Sequence, residues 1–134
     1  MNYGFVKVAA AVPQVKVADC FYNIQQIEGL MRQASQKEVQ IIAFPELSVT
    51  SYTCMDLFSQ ETLLRNAEKA LLDLVNNTAD LDLLTIVGCP LVSGSQLINA
   101  AVAFQRGEIL GVVPKLPASY KEFQEERWFT ASSH

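Results

Sequence analysis

The sequence predicts an α/β fold built on a mixed β-sheet. Three observations carry that expectation. Short apolar runs alternate with longer segments whose apolar residues recur every three or four positions. Those helical segments join the first three apolar runs, which implies parallel pairing with helices covering the sheet. Two later apolar runs flank the polar turn Gln105-Arg106-Gly107-Glu108, which implies an antiparallel hairpin.

The elements follow in order. Phe5 to Val12 reads as a strand interrupted by Lys7 and ended by Pro13. Val17, Cys20, Phe21, Ile24, Ile27, Met31 and Ala34 form one helical stripe. Asp19, Asn23, Gln26 and Arg32 fall mostly off it, and Gln36-Lys37-Glu38 is the polar exit. Val39 to Phe44 is a buried-type strand, followed by a turn segment from Glu46 to Phe58. Ser59 is the expected N-cap of a second helix. Its stripe is Leu63, Leu64, Ala67, Ala70, Leu71, Leu74 and Val75, closed by Asn76-Asn77. Leu83 to Val87 is a third strand, expected to end at Gly88 and Pro90. Leu97 to Phe104 and Ile109 to Val113 form the hairpin, with Gly107 available for a positive φ. From Leu116 onward the chain turns polar and aromatic without a linker.

At 134 residues, half of them hydrophobic, the chain is one domain or part of one. Ordering it costs on the order of 200 kcal/mol at about 1.5 kcal/mol per residue, so a rich apolar content is required. The net charge is -4 and no basic run exists, which argues against a nucleic-acid partner. No apolar run approaches the ~18 residues of a membrane span, and the start lacks a signal-peptide pattern. The three cysteines, Cys20, Cys54 and Cys89, are widely spaced and form no CxxC pair. That argues against a disulfide framework or a zinc site and fits a reducing cytoplasm. The sole histidine is His134, so a Ser-His-Asp relay or a His-rich metal site has no material here.

Glu46 and Lys115 each follow an apolar strand, through Phe44-Pro45-Glu46 and Val113-Pro114-Lys115. In open α/β sheets, sites gather at the carboxyl ends of strands. From position alone the two charges could be a site, a strand-end ion pair or two unrelated solvated groups.

The flanking residues add a resemblance. Phe44-Pro45-Glu46-Leu47, then Thr50-Ser51-Tyr52-Thr53-Cys54 and Asp56-Leu57-Phe58, resemble the carbon–nitrogen hydrolase (nitrilase) superfamily. The Tyr52-Thr53-Cys54 and Asp56-Leu57-Phe58 continuation is most similar to the glutaminase domain of glutamine-dependent NAD synthetase. Val6 to Val12 with Pro13 and Gln14, the pair Asn23 and Ile27, Val87-Gly88-Cys89-Pro90 and Asn99-Ala100-Ala101 agree. So do Ile109-Leu110-Gly111, Pro114-Lys115, Tyr120, Glu122-Phe123 and Arg127-Trp128-Phe129. The resemblance covers essentially the whole chain. It implies part of an α-β-β-α sandwich, with helices packed on one face of the mixed sheet.

The family uses a Glu–Lys–Cys triad. By resemblance Glu46 is the general base and Lys115 supports the tetrahedral intermediate. Tyr52 and Tyr120 would wall the substrate pocket, and Glu122 would support the lysine. A thiol of pKa near 8.5 needs a base within reach at neutral pH, and attack on an amide builds an oxyanion that an ammonium stabilises. At about 4 Å and an effective dielectric near 20, the Glu–Lys attraction is roughly 4 kcal/mol before desolvation. The implied substrate is glutamine, and the ammonia would serve NAD synthesis. ATP, magnesium and deamido-NAD belong to a separate carboxyl-terminal synthetase domain in this reading, since the six scattered glycines here make no phosphate-cradling loop.

The third triad member is missing. Only residues 116–134 follow Lys115, and none is Cys. Cys54 matches the Cys of the Tyr-Thr-Cys turn, which is not the family's nucleophile; Cys20 and Cys89 read as core and packing residues. The expectation is residues 1–134 as the amino-terminal portion of a glutaminase domain, stopping before its nucleophile and inactive alone. A standalone amidase of the same superfamily and a non-catalytic assembly or regulatory module are the alternatives. An uncovered apolar sheet face and unpaired strand edges predict self-association, hence a homo-oligomer. The chain also departs from the family pattern. Pro117 and Tyr120 stand closer to Lys115 than in the common Lys-x-x-Leu-Pro-x-Tyr, a shortening that would shift Tyr120 and Glu122. Ser51 replaces a frequent Gly before Tyr52, and Ser tolerates positive φ less well.

Overall fold

A computed structural model describes residues 4–115. The elements are β1 (Val8–Ala10), α1 (Cys20–Gln36), β2 (Ile41–Ala43), a 3₁₀ segment (Tyr52–Ser59), α2 (Glu61–Asn77), β3 (Leu84–Ser93), β4 (Gln96–Gln105) and β5 (Glu108–Pro114). They form a five-stranded mixed sheet in the order β1-β2-β3-β4-β5. β1, β2 and β3 are parallel, and β4 is antiparallel to both β3 and β5. The α/β class and the strand directions are those expected. The two parallel crossovers advance the same way across the sheet, which brings both helices to one face.

That face is the core. Ile42, Thr85, Val87, Cys89, Ala100, Val102 and Phe104 meet Ile24, Ile27 and Met31 of α1 and Ala67, Ala70, Leu71 and Leu74 of α2. Each fully buried Leu or Ile contributes about 1.5–3 kcal/mol. The opposite face is also apolar: Val8, Ile41, Ala43, Leu84, Ile86, Ala101 and Val113 share it through the strand register. Its members range from half-buried to exposed, Val8 at 65% and Val113 at 66%.

Several boundaries differ from the sequence reading. β1 and β2 are shorter, because only their central residues pair. α1 begins at Cys20, with the Asp19 side chain accepting from the Tyr22 backbone N–H at 3.1 Å, so Val17 stays outside and exposed. Phe21 is also exposed, whereas Asn23 is fully buried. Gln60, not Ser59, is the N-cap of α2, because the preceding 3₁₀ segment extends through Ser59. Glu61 in the first turn complements the helix dipole instead of a side-chain cap.

The largest difference is β3, which runs straight through Gly88 and Pro90 to Ser93. Alternate residues of a strand point their backbone groups to opposite sides. Ile86 accepts from Phe44 and Gly88 bonds to the turn after β2, both on the side away from β4. Pro90 has the same parity, so its missing N–H costs no bond of the β3–β4 ladder. The hairpin is a two-residue turn with positive φ at both Arg106 (51°) and Gly107 (81°), the type I′ signature.

Candidate functional site

Glu46 is placed by the turn that leaves β2. Pro45 ends the strand, and the chain curls on itself: Ser48 N–H donates to Pro45 O, while Thr50 and Ser51 N–H both donate to Leu47 O. This turn is sewn onto β3 at Gly88. Val49 N–H donates to Gly88 O at 3.1 Å, and Gly88 N–H donates to Ser48 Oγ at 3.2 Å. The approach is so close that a Cβ on Gly88 would lie 2.1 Å from the Leu47 nitrogen and 2.9 Å from Glu46 Cα. Only glycine allows it.

Asn23 anchors the turn from the other side. Its Nδ2 donates to Val49 O and Lys16 O, and its Oδ1 accepts from Lys16 N–H at 2.7 Å. Ala18 N–H donates to Thr50 O. The backbone is strained within this frame. Leu47 has φ 53°, and Ser51 has φ 79° with ψ 146°, a region used almost only by glycine.

Lys115 arrives from the far strand of the hairpin. β5 is parallel to β2 across the sheet, so its exit lies at the same end. Lys115 N–H donates to Asn99 O at 2.8 Å, which fixes where the side chain starts. Lys115 Nζ then reaches Glu46 Oε1 at 2.5 Å. The buried Asn99 donates from Nδ2 to the same oxygen, also at 2.5 Å. Oε2 accepts no hydrogen bond from the described residues.

The three side chains stand in a cleft of roughly 270 Å³. Phe44, Ile86, Val87, Val113 and Pro114 give it apolar walls, and Gly88 also lines it. The Glu46 and Lys115 side chains remain 33% and 42% exposed. A pair that wet contributes at most about 1 kcal/mol to stability. Its arrangement suits chemistry better: a carboxylate able to take a proton and an ammonium able to meet developing negative charge, side by side against apolar walls.

Sequence reasoning thus named Glu46 and Lys115, and the structure brings them into contact. It did not single out Asn99, Gly88 or Asn23 for the frame of the site. The usable signal was polarity out of place: Asn99 lies inside an apolar strand and Asn23 on a helix whose neighbours are core, and buried amides need partners. Tyr52 is half-buried at the start of the 3₁₀ segment, packs against the core and is not among the cleft-lining residues. Tyr120 and Glu122 lie outside the described residues.

The cysteines are free and buried. Burial pushes the Cys20 thiol up to about 11, helped by Cys54 and Asp19. Burial likewise raises Cys54, against the opposing hydrogen bonds to Ala18 and Thr50, and raises Cys89 far more. Cys54 Sγ donates to Thr50 O at 3.0 Å, and Cys89 sits beneath α2 near Ala67 O. All three stay protonated at neutral pH, the opposite of an activated nucleophile. Among the described residues no cluster of His, Cys, Asp or Glu could hold a metal ion, and no helix is long and apolar enough to cross a membrane.

The chain and its fold are similar to those of known proteins. The carbon-nitrogen hydrolase family model matches residues 7–125. The glutamine-dependent NAD(+) synthetase of Mycobacterium tuberculosis is 39% identical over 128 residues, covering 94% of this chain and 19% of that protein. The chain therefore spans about a fifth of the length of the curated relatives it matches. Among solved structures, a glutamine-dependent NAD(+) synthetase from Cytophaga hutchinsonii superposes with a TM-score of 0.87 at 24% identity, over 94% of this chain and 22% of that one. An amidase from Nesterenkonia sp. AN1, described as having an active-site cysteine, superposes with a TM-score of 0.78 at 17% identity, over 97% and 51%. The mixed sheet with its helices is the nitrilase-superfamily fold, and the chain belongs to the carbon-nitrogen hydrolase family.

Proposed function

We propose that this chain is the amino-terminal portion of a glutaminase domain, and that it holds the base and the lysine of an amide-hydrolysing site. The observation that carries the reading is the Glu46–Lys115 contact at 2.5 Å, set in an apolar-walled cleft at the carboxyl ends of β2 and β5. The synthetase relatives supply the substrate class: glutamine, whose amide nitrogen would feed NAD synthesis in a longer polypeptide. ATP and magnesium belong to the second domain of that polypeptide. The described residues offer neither a phosphate loop nor a metal cluster to hold them.

The nucleophile in this reading is a cysteine beyond residue 134. Glu46 takes the Sγ–H proton as sulfur attacks the amide carbon, and the C=O electron pair moves onto oxygen beside Lys115 Nζ. Collapse reforms the carbonyl and breaks the C–N bond. The proton on Glu46 passes to the leaving nitrogen, which departs as ammonia. Water, activated by the same carboxylate, then splits the thioester to glutamate and regenerates the thiol. Tyr52, Tyr120 and Glu122 are the substrate-binding candidates of this proposal.

The test is mass spectrometry of the full-length protein quenched during glutamine turnover. The expected adduct is a glutamyl thioester on a cysteine outside residues 1–134. An adduct mapped to Cys20, Cys54 or Cys89 would contradict the reading. A standalone amidase is the second reading, favoured by the fit of nearly the whole chain onto half of an amidase. It predicts ammonia release from simple amides by a parent lacking any ATP-dependent activity.

A further inference from the structure

We propose that Asn99 is a positioning residue of this site, a group among the described residues that sets Glu46 and Lys115 relative to each other. This rests on the reading of Glu46 as the base and assigns which of its oxygens works. Asn99 makes two contacts with two different jobs. Its backbone oxygen accepts from Lys115 N–H at 2.8 Å and so fixes where the lysine leaves β5. Its side-chain Nδ2 donates to Glu46 Oε1 at 2.5 Å, the oxygen that also receives Lys115 Nζ.

Two donors on one oxygen pin the carboxylate about both its position and its plane. They occupy Oε1, whereas Oε2 accepts no hydrogen bond from the described residues. Oε2 is therefore the atom that takes the thiol proton and later delivers it to the leaving nitrogen. The lysine alone does not impose this. Its side chain is a flexible four-carbon stem, 42% exposed, whereas Asn99 is held in a strand and is 2% exposed as a residue. The neighbouring packing makes the pin rigid. Asn99 pairs with Pro90 on β3, two residues beyond Gly88, the residue against which the Glu46 turn is pressed. A buried amide also has a stake in the contact, since losing the carboxylate would leave its N–H unsatisfied. Asn99 touches no reacting atom in this scheme; it acts through Glu46.

Two measurements test this. In the 134-residue chain, three-bond NMR couplings report the χ1 rotamer of Glu46. The wild type is expected to show one rotamer and Lys115→Met to keep it, while Asn99→Leu, which keeps the branching of the side chain and the backbone bond to Lys115, is expected to average it. Asn99→Asp keeps the shape, loses the donor and is expected to behave likewise, so it serves if the leucine variant does not fold. In the full-length protein, Asn99→Leu is expected to lower kcat for glutamine hydrolysis about tenfold or more, within the about 10²–10⁴ that a general base contributes, with KM changed less than about threefold. Unchanged Glu46 couplings in both Asn99 variants overturn the positioning role. A full-length wild type that hydrolyses no glutamine overturns the functional reading and, with it, the catalytic part of this proposal.

Discussion

Two tight turns at opposite ends of the sheet are built differently. The hairpin turn at Arg106-Gly107 connects β4 to β5 with two residues in the left-handed region, one of them glycine. Its geometry matches the twist of the strands, and its purpose ends there. The turn that carries Glu46 puts Leu47 and Ser51 in positive φ, residues that resist it. It is then held from three sides, by Gly88, by Asn23 and by the Ala18 backbone. Strain of about 1–3 kcal/mol at a residue persists only where the surroundings over-determine it. The difference separates a turn that joins strands from a turn that holds a carboxylate.

The contrast can be broken most severely at Gly88. Gly88→Ala drives a Cβ into the Glu46–Leu47 peptide, backbone that cannot swing aside. We expect a loss of about 3 kcal/mol or more, measured by urea denaturation, with loss of the Glu46–Lys115 contact in a crystal structure. Gly107→Ala tests the hairpin. Its φ of 81° and a Cβ 3.1 Å from that of Ala79 predict a loss of about 1–2 kcal/mol with the Glu46 site undisturbed. Ser51→Gly should move the other way. Relief of φ 79° outweighs the weak 3.4 Å contact to Thr53 N–H and the added freedom of the unfolded chain. A gain of about 1 kcal/mol in the same assay is expected, and a loss would show that Ser51 is not strained.

The smallest effect lies away from the Glu46 turn and serves as a control for it. Arg32 bonds Asp80, Glu28 and the Asn77 carbonyl across the end of the helices. Its hydrogen bonds hold the Asp80 carboxyl below the usual carboxylate range. A depressed carboxylate contributes stability above its unfolded pKa, near 3.8, and loses it as pH falls through the folded value. Asp80→Asn should therefore lower Tm slightly at neutral pH, less in high salt, and not at all in strong acid. A pH-independent difference would contradict this sign.

These differences mirror what could be read from the amino acids. The core was legible because strand and helix periods are written in apolar spacing: Ile24, Ile27 and Met31 on one stripe, Leu71 and Leu74 on another. The parallel and antiparallel strand directions followed from the connections, helical crossovers for the first three strands and a short turn for the last two. Glu46 and Lys115 were legible because each charge follows an apolar strand through a proline. Asn99 and Asn23 were not, because a buried amide looks like any surface amide until its partners are placed. β3 was cut short at Gly88 and Pro90, since the side on which a strand lacks a neighbour is a property of the sheet and not of the strand. Ser51 was legible as an oddity, and its φ gives that oddity a conformation.

The central claim is that this chain holds the base and the lysine of an amidase site without the thiol they serve. Ammonia release from glutamine by the purified 134-residue chain tests it most directly. The account predicts no release above that of Glu46→Gln, because removing a nucleophile can cost on the order of a millionfold. Sustained release that vanishes in Glu46→Gln would contradict it, and would mean that one of the three buried cysteines serves after all.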